Sequence, residues 1–398
     1  MNLDLLLPDS DLDPAHREFA QRMRAFAATA LLPHARAVDE QRQFRRAMVT
    51  ELGAAGILRG PIPPEHGGAG WTPLQLALAH EELGATCGNA RGFCAVQTGL
   101  VAHTIARHGT AAQRERWLPG LLDGSQIGCF ALTEPEAGSD VASLRTHARP
   151  VGTGFAATGE KWWITNGGVA DVMILFATID PAQGRAGITA FLVDTQRRGL
   201  QREPMPGIEL GHRGSDHAVL RFHDFPLTAD EMLGAPGKGF GVAMGGLAAG
   251  RLSVAAGAVG IHRAALEAAL AFTTSRQQFG QSLASFQMVQ ERLADHCISL
   301  HASRALVHRV ARRRAEGCEN IADLAMAKAY STEAAAQATE AALQLHGARG
   351  YSSAFPVERL WRDIQALRIY EGTTMIQKTI LARALITPPK SNQATSPS

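Results

Sequence analysis

The chain has no paired cysteine motif. Its five cysteines, Cys87, Cys94, Cys129, Cys297 and Cys318, show neither a CxxC spacing nor a His-Cys cluster at metal-ligand spacing, which argues against a disulfide framework and a zinc site. They read as free thiols of a reducing compartment. It also lacks an excess of either charge: 39 Lys and Arg against 37 Asp and Glu leave +2, with no electrostatic reason to expect a nucleic-acid partner. The start, MNLDLLLPDSDLDP, lacks the basic head and sustained apolar core of a secretory signal, and its four aspartates do not suit a transit peptide. A cytoplasmic location is expected. The most apolar stretch, residues 239–261, is interrupted by Arg251 and rich in glycine, so no membrane span is expected. There is no internal repeat.

What is present suits a large globular chain. At 398 residues it exceeds what one core organises, and 45% of the residues are apolar. Asp13 before Pro14 makes an N-cap with proline at the first helical position, and Phe19, Met23, Phe26 and Ala30 follow at helical spacing. GPIPPEHGGAG at 60–70 reads as a loop, Thr72-Pro73 opens a helix to about Leu83, and another is expected over 111–122. From about residue 128 the text changes to short runs such as VMILFATI and GITAFLVDT. In HAVLRFHDF, Ala218, Leu220 and Phe222 alternate with His217, Val219 and Arg221, the period of a half-buried strand. No helical crossovers intervene, so an antiparallel sheet or barrel is favoured over a doubly wound sheet. Helical text returns at 240–275, 285–316 and 321–347, with a fourth helix from Thr373, which together imply a bundle. The expected fold is mainly α with a central β domain: helical 1–127, β 128–236, four-helix bundle 237–387, and a polar, disordered tail 388–398.

Three segments carry candidate chemistry. ALTEPEAGSD (131–140) gathers small residues and hydroxyls around Gly138, and such a turn can offer N–H groups and the Ser139 hydroxyl to a phosphate; it equally suits a plain turn. KWWITN (161–166) places Trp162 and Trp163 on opposite strand faces, with Thr165 on the Trp163 side, so that one indole can flank a planar ligand; ordinary sheet core is the competing reading. RIYEGTTMIQ (368–377) sets Glu371 between an apolar-aromatic run and a Gly372-Thr373 turn. A carboxylate held there in an apolar pocket would have the raised pKa of a general base, whereas a solvated one would only cap a helix.

With RQQFGQ, FQMVQERLAD, HGARGY and FPVERLWRD in the same order, CFALTEPEAGSD, EKWWITNG and YEGT make residues 13 to about 387 resemble the acyl-CoA dehydrogenase family. The resemblance implies a helical domain, a β domain and a four-helix bundle, with FAD extended between domains and across a subunit interface. By position, Phe130, Leu132 and Thr133 would border the isoalloxazine ring, Ser139 in the Gly138 turn would approach the pyrophosphate, and Trp163 and Thr165 would lie on the ring's other side. Arg276, Phe279, Gln287, Gln344 and Gly347 would come from a neighbouring protomer to the pyrophosphate and adenosine, and Thr373 and Met375 would also contact the cofactor. A homotetramer, a dimer of dimers, follows from the same likeness. Ser139, Tyr370 and Gly372 would face the substrate.

Glu371 matches the family's catalytic base. The commonest alternative position, just before the arginine of AAGR, is Gly250 here, which cannot take a proton. Arg251 matches the arginine that orients the base. The resemblance thus implies FAD-dependent α,β-dehydrogenation of an acyl-CoA, with electrons leaving to an electron-transferring flavoprotein or similar acceptor and no metal. Two alternatives are the same chemistry on an acyl group held by a carrier protein, which the Arg312, Arg313 and Arg314 cluster could meet although a solvated helix end is the favoured reading of it, and a flavin-binding scaffold without catalysis. Departures from the pattern are Ala248-Ala249 in place of an acidic turn before Arg251, Gly347-Ala348 in place of a glycine pair, and Met375 where Gln or Glu is common.

Overall fold

The computed structural model describes residues 3–6 and 9–387, so the tail 388–398 lies outside the described residues. After a single helical turn at Leu3–Leu6, the first long helix, α1 (Pro14–Phe26), starts as the sequence predicts: the Asp13 side chain accepts the His16 N–H and Pro14 fills the first turn. Next come α2 (Leu32–Gln41), α3 (Arg46–Ala54) and α4 (Pro73–Thr86), the last opened by a capping box between Thr72 and Gln75. Two short helices, α5 (Gly88–Cys94) and α6 (His103–His108), are joined by a widened helical turn at Ala95–Ala102, and α7 (Ala111–Asp123) closes the region. The pattern of residues 87–108 gave no helix because most positions there are buried, leaving no polar stripe to set a period.

The central sheet holds β1 (Gly128–Ala131), β2 (His147–Val151), β3 (Gly154–Thr165), β4 (Val172–Thr178), β5 (Ile188–Asp194), β6 (Leu200–Pro204) and β7 (His217–Leu227). The order is β1-β4-β2-β3-β7-β6, with β5 also on β4. Most pairings are antiparallel, but β1 runs parallel to β4, from Gly128 against Val172 to Ala131 against Leu175, and β2 meets β4 in parallel at His147 against Thr178. The excursion through β2 and β3 brings the chain back in the same direction, which the absence of helical crossovers did not anticipate.

Four long helices then return: α8 (Gly239–Ser275), α9 (Gln287–Ala315), α10 (Ile321–His346) and, after α11 (Val357–Leu367), α12 (Thr374–Ile386). Between α8 and α9 a small hairpin pairs β8 (Gln277–Gln278) with β9 (Gln281–Ser282). Among the described residues α8 is the helix long and apolar enough to cross a bilayer by length and composition, yet 72% of that stretch is buried inside the protein. Its glycines explain the close packing. A Cβ on Gly260 would stand 1.9 Å from the Glu81 carbonyl oxygen, and one on Gly84 would stand 2.4 Å from that of Gly257, so α4 and α8 touch backbone to backbone.

Buried ion pairs lock the same junction. Glu82 accepts both terminal nitrogens of Arg263 at 2.8 and 2.6 Å, while Glu81 accepts from Arg304 Nε at 3.0 Å and meets His308 Nε2 at 2.8 Å. Burial pushes the Glu81 carboxyl up, but Arg304 and His308 prevail and bring it to about 2 against an ordinary 4.5. The stabilisation is therefore complete above about 4.5 and lost as pH falls through about 2. Glu81→Gln should cost about 3 kcal/mol at neutral pH and flatten the acid limb of a stability-versus-pH curve followed by circular dichroism. An unchanged acid limb would assign the sensitivity to other carboxylates.

Candidate active site

The first two sequence segments are stitched together. Where the chain leaves β1, the Trp162 N–H donates to the Thr133 carbonyl at 2.8 Å, and Lys161 Nζ reaches the Leu132 carbonyl at 3.0 Å and Glu134 Oε1 at 2.7 Å. Glu134 also accepts the Arg145 and Thr146 N–H groups, at 2.6 and 2.9 Å. Burial lowers the Lys161 ammonium to about 8, with Glu134 opposing. Neither Lys161 nor Glu134 stood out in the sequence, although both lie inside the segments that did. They hold the strand exit so that Phe130 and Leu132 are buried and Thr133 is half-buried, while Gly138 and Ser139 face outward. A Cβ on Gly138 would meet nothing within 4 Å, so protein packing does not fill the outer side of this turn.

At the double tryptophan β3 bulges. The pairing to β7 slips between Lys161 and Ile164, and Trp163 takes a left-handed φ of 59° with its N–H 3.3 Å from Met205 Sδ. Simple alternation along the strand therefore does not hold at this point. Ile164 points into the core, whereas Trp163 is 55% exposed and Thr165 half-buried. A bulky residue with positive φ is strained, and here the strain presents a flat indole beside Thr133 and Thr165. An exposed indole, a neighbouring hydroxyl and an open turn fit a planar ring continuing into an anionic tail.

Glu371 lies one layer away, over the middle of α8. Phe130 approaches α8 at Gly246, where a Cβ would sit 3.6 Å from its ring, and one helical turn later a Cβ on Gly250 would sit 2.1 Å from Glu371 Oε2. Only glycine leaves room for that carboxylate. Glu371 itself has a left-handed φ of 54°, held by its neighbours: Lys328 Nζ donates to the carbonyls of Tyr370 and Gly372 on either side. Gln377 Nε2 donates to the carbonyls of Glu371 and Gly372 at 3.2 and 2.9 Å. Glu371 Oε2 is shut off from solvent without a hydrogen-bond partner. Burial raises the Glu371 pKa, and Arg91, Lys328 and Arg251 pull it back in part. Lys328, buried in turn, is lowered to about 8. Sequence reasoning missed Lys328, Gln377 and Arg91; a lone lysine in the alanine-rich run IADLAMAKAYS was the available signal.

Arg251 is no surface ion-pair residue. It is buried, with Nε and Nη1 unpartnered, and feels the Glu371 charge without bonding to it. Tyr370 receives a hydrogen bond from Arg91, and Gly372 has a φ of 89°. Thr373 uses its hydroxyl to cap α12 through the Ile376 N–H, and Met375 is exposed. Of the arginine cluster, Arg313 pairs with Asp323 at 3.0 Å and Arg314 with Glu319 at 3.5 Å, so two of its three members are engaged within the chain.

Arg276, Phe279, Gln287, Gln344 and Gly347 gather elsewhere. Arg276 caps the far end of α8, roughly 35 Å of helix from Arg251. Phe279, 92% exposed with a φ of 53°, sits between β8 and β9, and Gln287 begins α9. The stack of His346 on Phe272, with ring centroids 4.3 Å apart, brings the end of α10 to the same place. One chain thus carries two separated sets of predicted residues.

A half-buried glutamate with one carboxylate oxygen shut off from solvent over α8, one helical turn from where Phe130 meets that helix at the edge of the sheet, is the arrangement of an enzyme that works on carbon-bound hydrogen. Three family models cover the chain: acyl-CoA dehydrogenase N-terminal domain over residues 13–125, middle domain over 129–225 and C-terminal domain over 237–386. The chain belongs to the acyl-CoA dehydrogenase family, FAD-dependent oxidoreductases acting on CH–CH bonds. It is 37% identical to a short-chain-specific acyl-CoA dehydrogenase of Clostridium acetobutylicum, over 91% of this chain and 95% of that one. The butyryl-CoA dehydrogenase structure from Megasphaera elsdenii superposes with a TM-score of 0.90 at 34% identity, covering 95% and 99% of the two chains. The prolyl acyl carrier protein oxidase AnaB does so with 0.90 at 30%, covering 94% and 100%.

Proposed function

We propose that this protein desaturates an acyl-CoA between its α and β carbons, with Glu371 as the base that takes the α proton. The observation that carries the reading is the Glu371 carboxylate seated over Gly250, desolvated and without a partner at Oε2. Burial raises its pKa toward neutrality, where a base gains most from proton transfer. Negative charge grows on the thioester oxygen as the proton leaves. The Glu371 N–H, which has no acceptor among the described residues, can donate to it. Lys328 and Gln377 fix the loop that aims both groups, and Arg251 holds positive charge beside the carboxylate once the substrate is seated.

FAD, when bound, supplies the acceptor for the β hydrogen, transferred as hydride to N5. Phe130, Leu132, Thr133, Trp163 and Thr165 would hold its ring, and the Gly138-Ser139 turn its pyrophosphate. The second set, Arg276, Phe279, Gln287, Gln344 and Gly347, would serve the FAD of a neighbouring protomer in a homotetramer; the nearly bare Phe279 ring supports an interface there. The same reading includes breaks near residues 127 and 236 between domains, a cytoplasmic setting and an electron-transferring flavoprotein as acceptor. Anaerobic addition of short acyl-CoAs to the yellow holoenzyme should bleach the flavin band within the turnover time. A holoprotein that no acyl thioester bleaches would not be a dehydrogenase of this kind.

A further inference from the structure

The loop that joins β6 to β7 is fastened in its middle to one part of the site and at its margins to another. Its middle lies on α11. A Cβ on Gly211 would stand 2.5 Å from the Arg362 carbonyl oxygen, so loop and helix meet backbone to backbone. Arg362 Nη1 donates to the Leu210 carbonyl at 3.2 Å, while its guanidinium grips Asp39 of α2 at 2.9 and 2.5 Å. The His212 N–H donates to Asp363 Oδ1 at 2.7 Å. The His212 imidazole is neutral, its pKa lowered to about 4 by burial, and its Nε2 lies 3.2 Å from the Asp363 carbonyl oxygen. Asp363 itself is 2% exposed, with Oδ2 3.8 Å from Arg359 Nη1.

The margins of the loop hold the bulge of β3. Met205 Sδ takes the Trp163 N–H at 3.3 Å, the Asp216 carbonyl takes the Asn166 N–H at 2.6 Å, and Asp216 Oδ2 takes the Gly168 N–H at 2.7 Å. Seven described non-glycine residues have a left-handed φ, and four of them are Trp163, Asn166, His212 and Glu371. Such backbone persists only where its surroundings over-determine it, and at the first three the loop or its anchor on α11 does so. The fourth follows from the same helix. The Tyr370 N–H closes on the Ala366 carbonyl at 3.1 Å, so Glu371 leaves α11 without a slack link. One helix therefore carries the base directly and the Trp163 bulge through a braced loop.

We propose that Asp363 is a positioning residue for the dehydrogenation: by fastening the 205–217 loop to α11 it sets the gap between Glu371 and the Trp163 bulge, into which ring and thioester must fit. This rests on the dehydrogenase reading, and the experiment separates the two. Among the described residues Asp363 makes no hydrogen bond or ion pair to the 161–169 segment, so amide exchange there reports on the brace alone. In the FAD-loaded enzyme without substrate, Asp363→Ala should speed hydrogen exchange of peptides spanning 161–169 at least about tenfold, with α8 protected as in the parent. Assayed per bound FAD, the same variant should lose about a hundredfold in kcat, the cost of a shift of roughly 1 Å, with KM for butyryl-CoA within about threefold of the parent. Asp363→Asn keeps an oxygen for the His212 N–H and should match the parent in both measures. Gly211→Ala drives the loop off α11 with Asp363 in place, should reproduce the alanine variant, and decides the matter if that variant does not fold. Parental exchange over 161–169, or lower thermal stability and FAD content with kcat per flavin unchanged, would make Asp363 a local support and overturn the proposal. An asparagine variant as impaired as the alanine one would assign the effect to the Arg359 pair and overturn it too. A wild-type flavin that no acyl-CoA bleaches would instead sink the dehydrogenase reading, whatever the exchange shows.

Discussion

Glu371→Gln is expected to lower kcat/KM by at least about a thousandfold while the protein stays folded, yellow and able to bind acyl-CoA. Glutamine is nearly isosteric, so it can occupy the space over Gly250, and the carbonyls on either side stay held by Lys328. What disappears is the proton acceptor, and general-base catalysis with the orientation that accompanies it accounts for a loss of that size. The pH profile supplies an independent check. Because burial raises the Glu371 pKa, wild-type kcat/KM should climb with pH as the carboxyl ionises, over a range above that of an ordinary glutamate. Above about 8, loss of the Lys328 proton removes a donor from the loop and should bend the profile down. In the glutamine variant the rising limb should vanish. Near-normal turnover of a folded, FAD-loaded Glu371→Gln protein would take this residue out of the chemistry.

The bundle was legible because its helices are long stretches of helix-forming residues without a proline, two of them opened by side-chain caps at Asn320 and Thr373, and α8, α9, α10 and α12 fall within two residues of where the text put them. The strands were legible for a similar reason: Val172–Thr178 and Ile188–Asp194 are short apolar runs between turn residues. The parallel pairing of β1 with β4 was not, since direction depends on how the chain returns and not on any local period. The site divides the same way. Glu371, Gly250, Trp163 and the 131–140 turn could be found because they stand in distinctive text. Trp163 nevertheless owes its exposure to a bulge that alternation could not show. Arg91 and Lys328 reach Tyr370, beside Glu371, only through tertiary packing from 279 and 42 residues away, which no spacing encodes, and Gln377, six residues past Glu371, lies in the quoted segment without any local pattern that marks its amide as a donor to the loop.

Gly250 ought to be nearly as intolerant of change as the base itself. In Gly250→Ala the added methyl would stand 2.1 Å from Glu371 Oε2 and 2.6 Å from its Cδ, closer than any real contact, so the carboxylate must move. It cannot simply turn aside. The carbonyls of its loop are fixed by Lys328 and Gln377, and the left-handed backbone at Glu371 leaves few rotamers that keep the group in the cleft. A shift of about 1 Å between base and α carbon costs on the order of a hundredfold in rate, so kcat should fall by about that much with FAD content unchanged. Helix stability points the other way, because alanine in place of glycine favours α8 by roughly 1 kcal/mol. A variant as stable as the parent, yet about a hundredfold slower, would show that glycine is kept at this position for the carboxylate and not for the helix. Full activity in Gly250→Ala would mean that Glu371 works from another place than the one it occupies here.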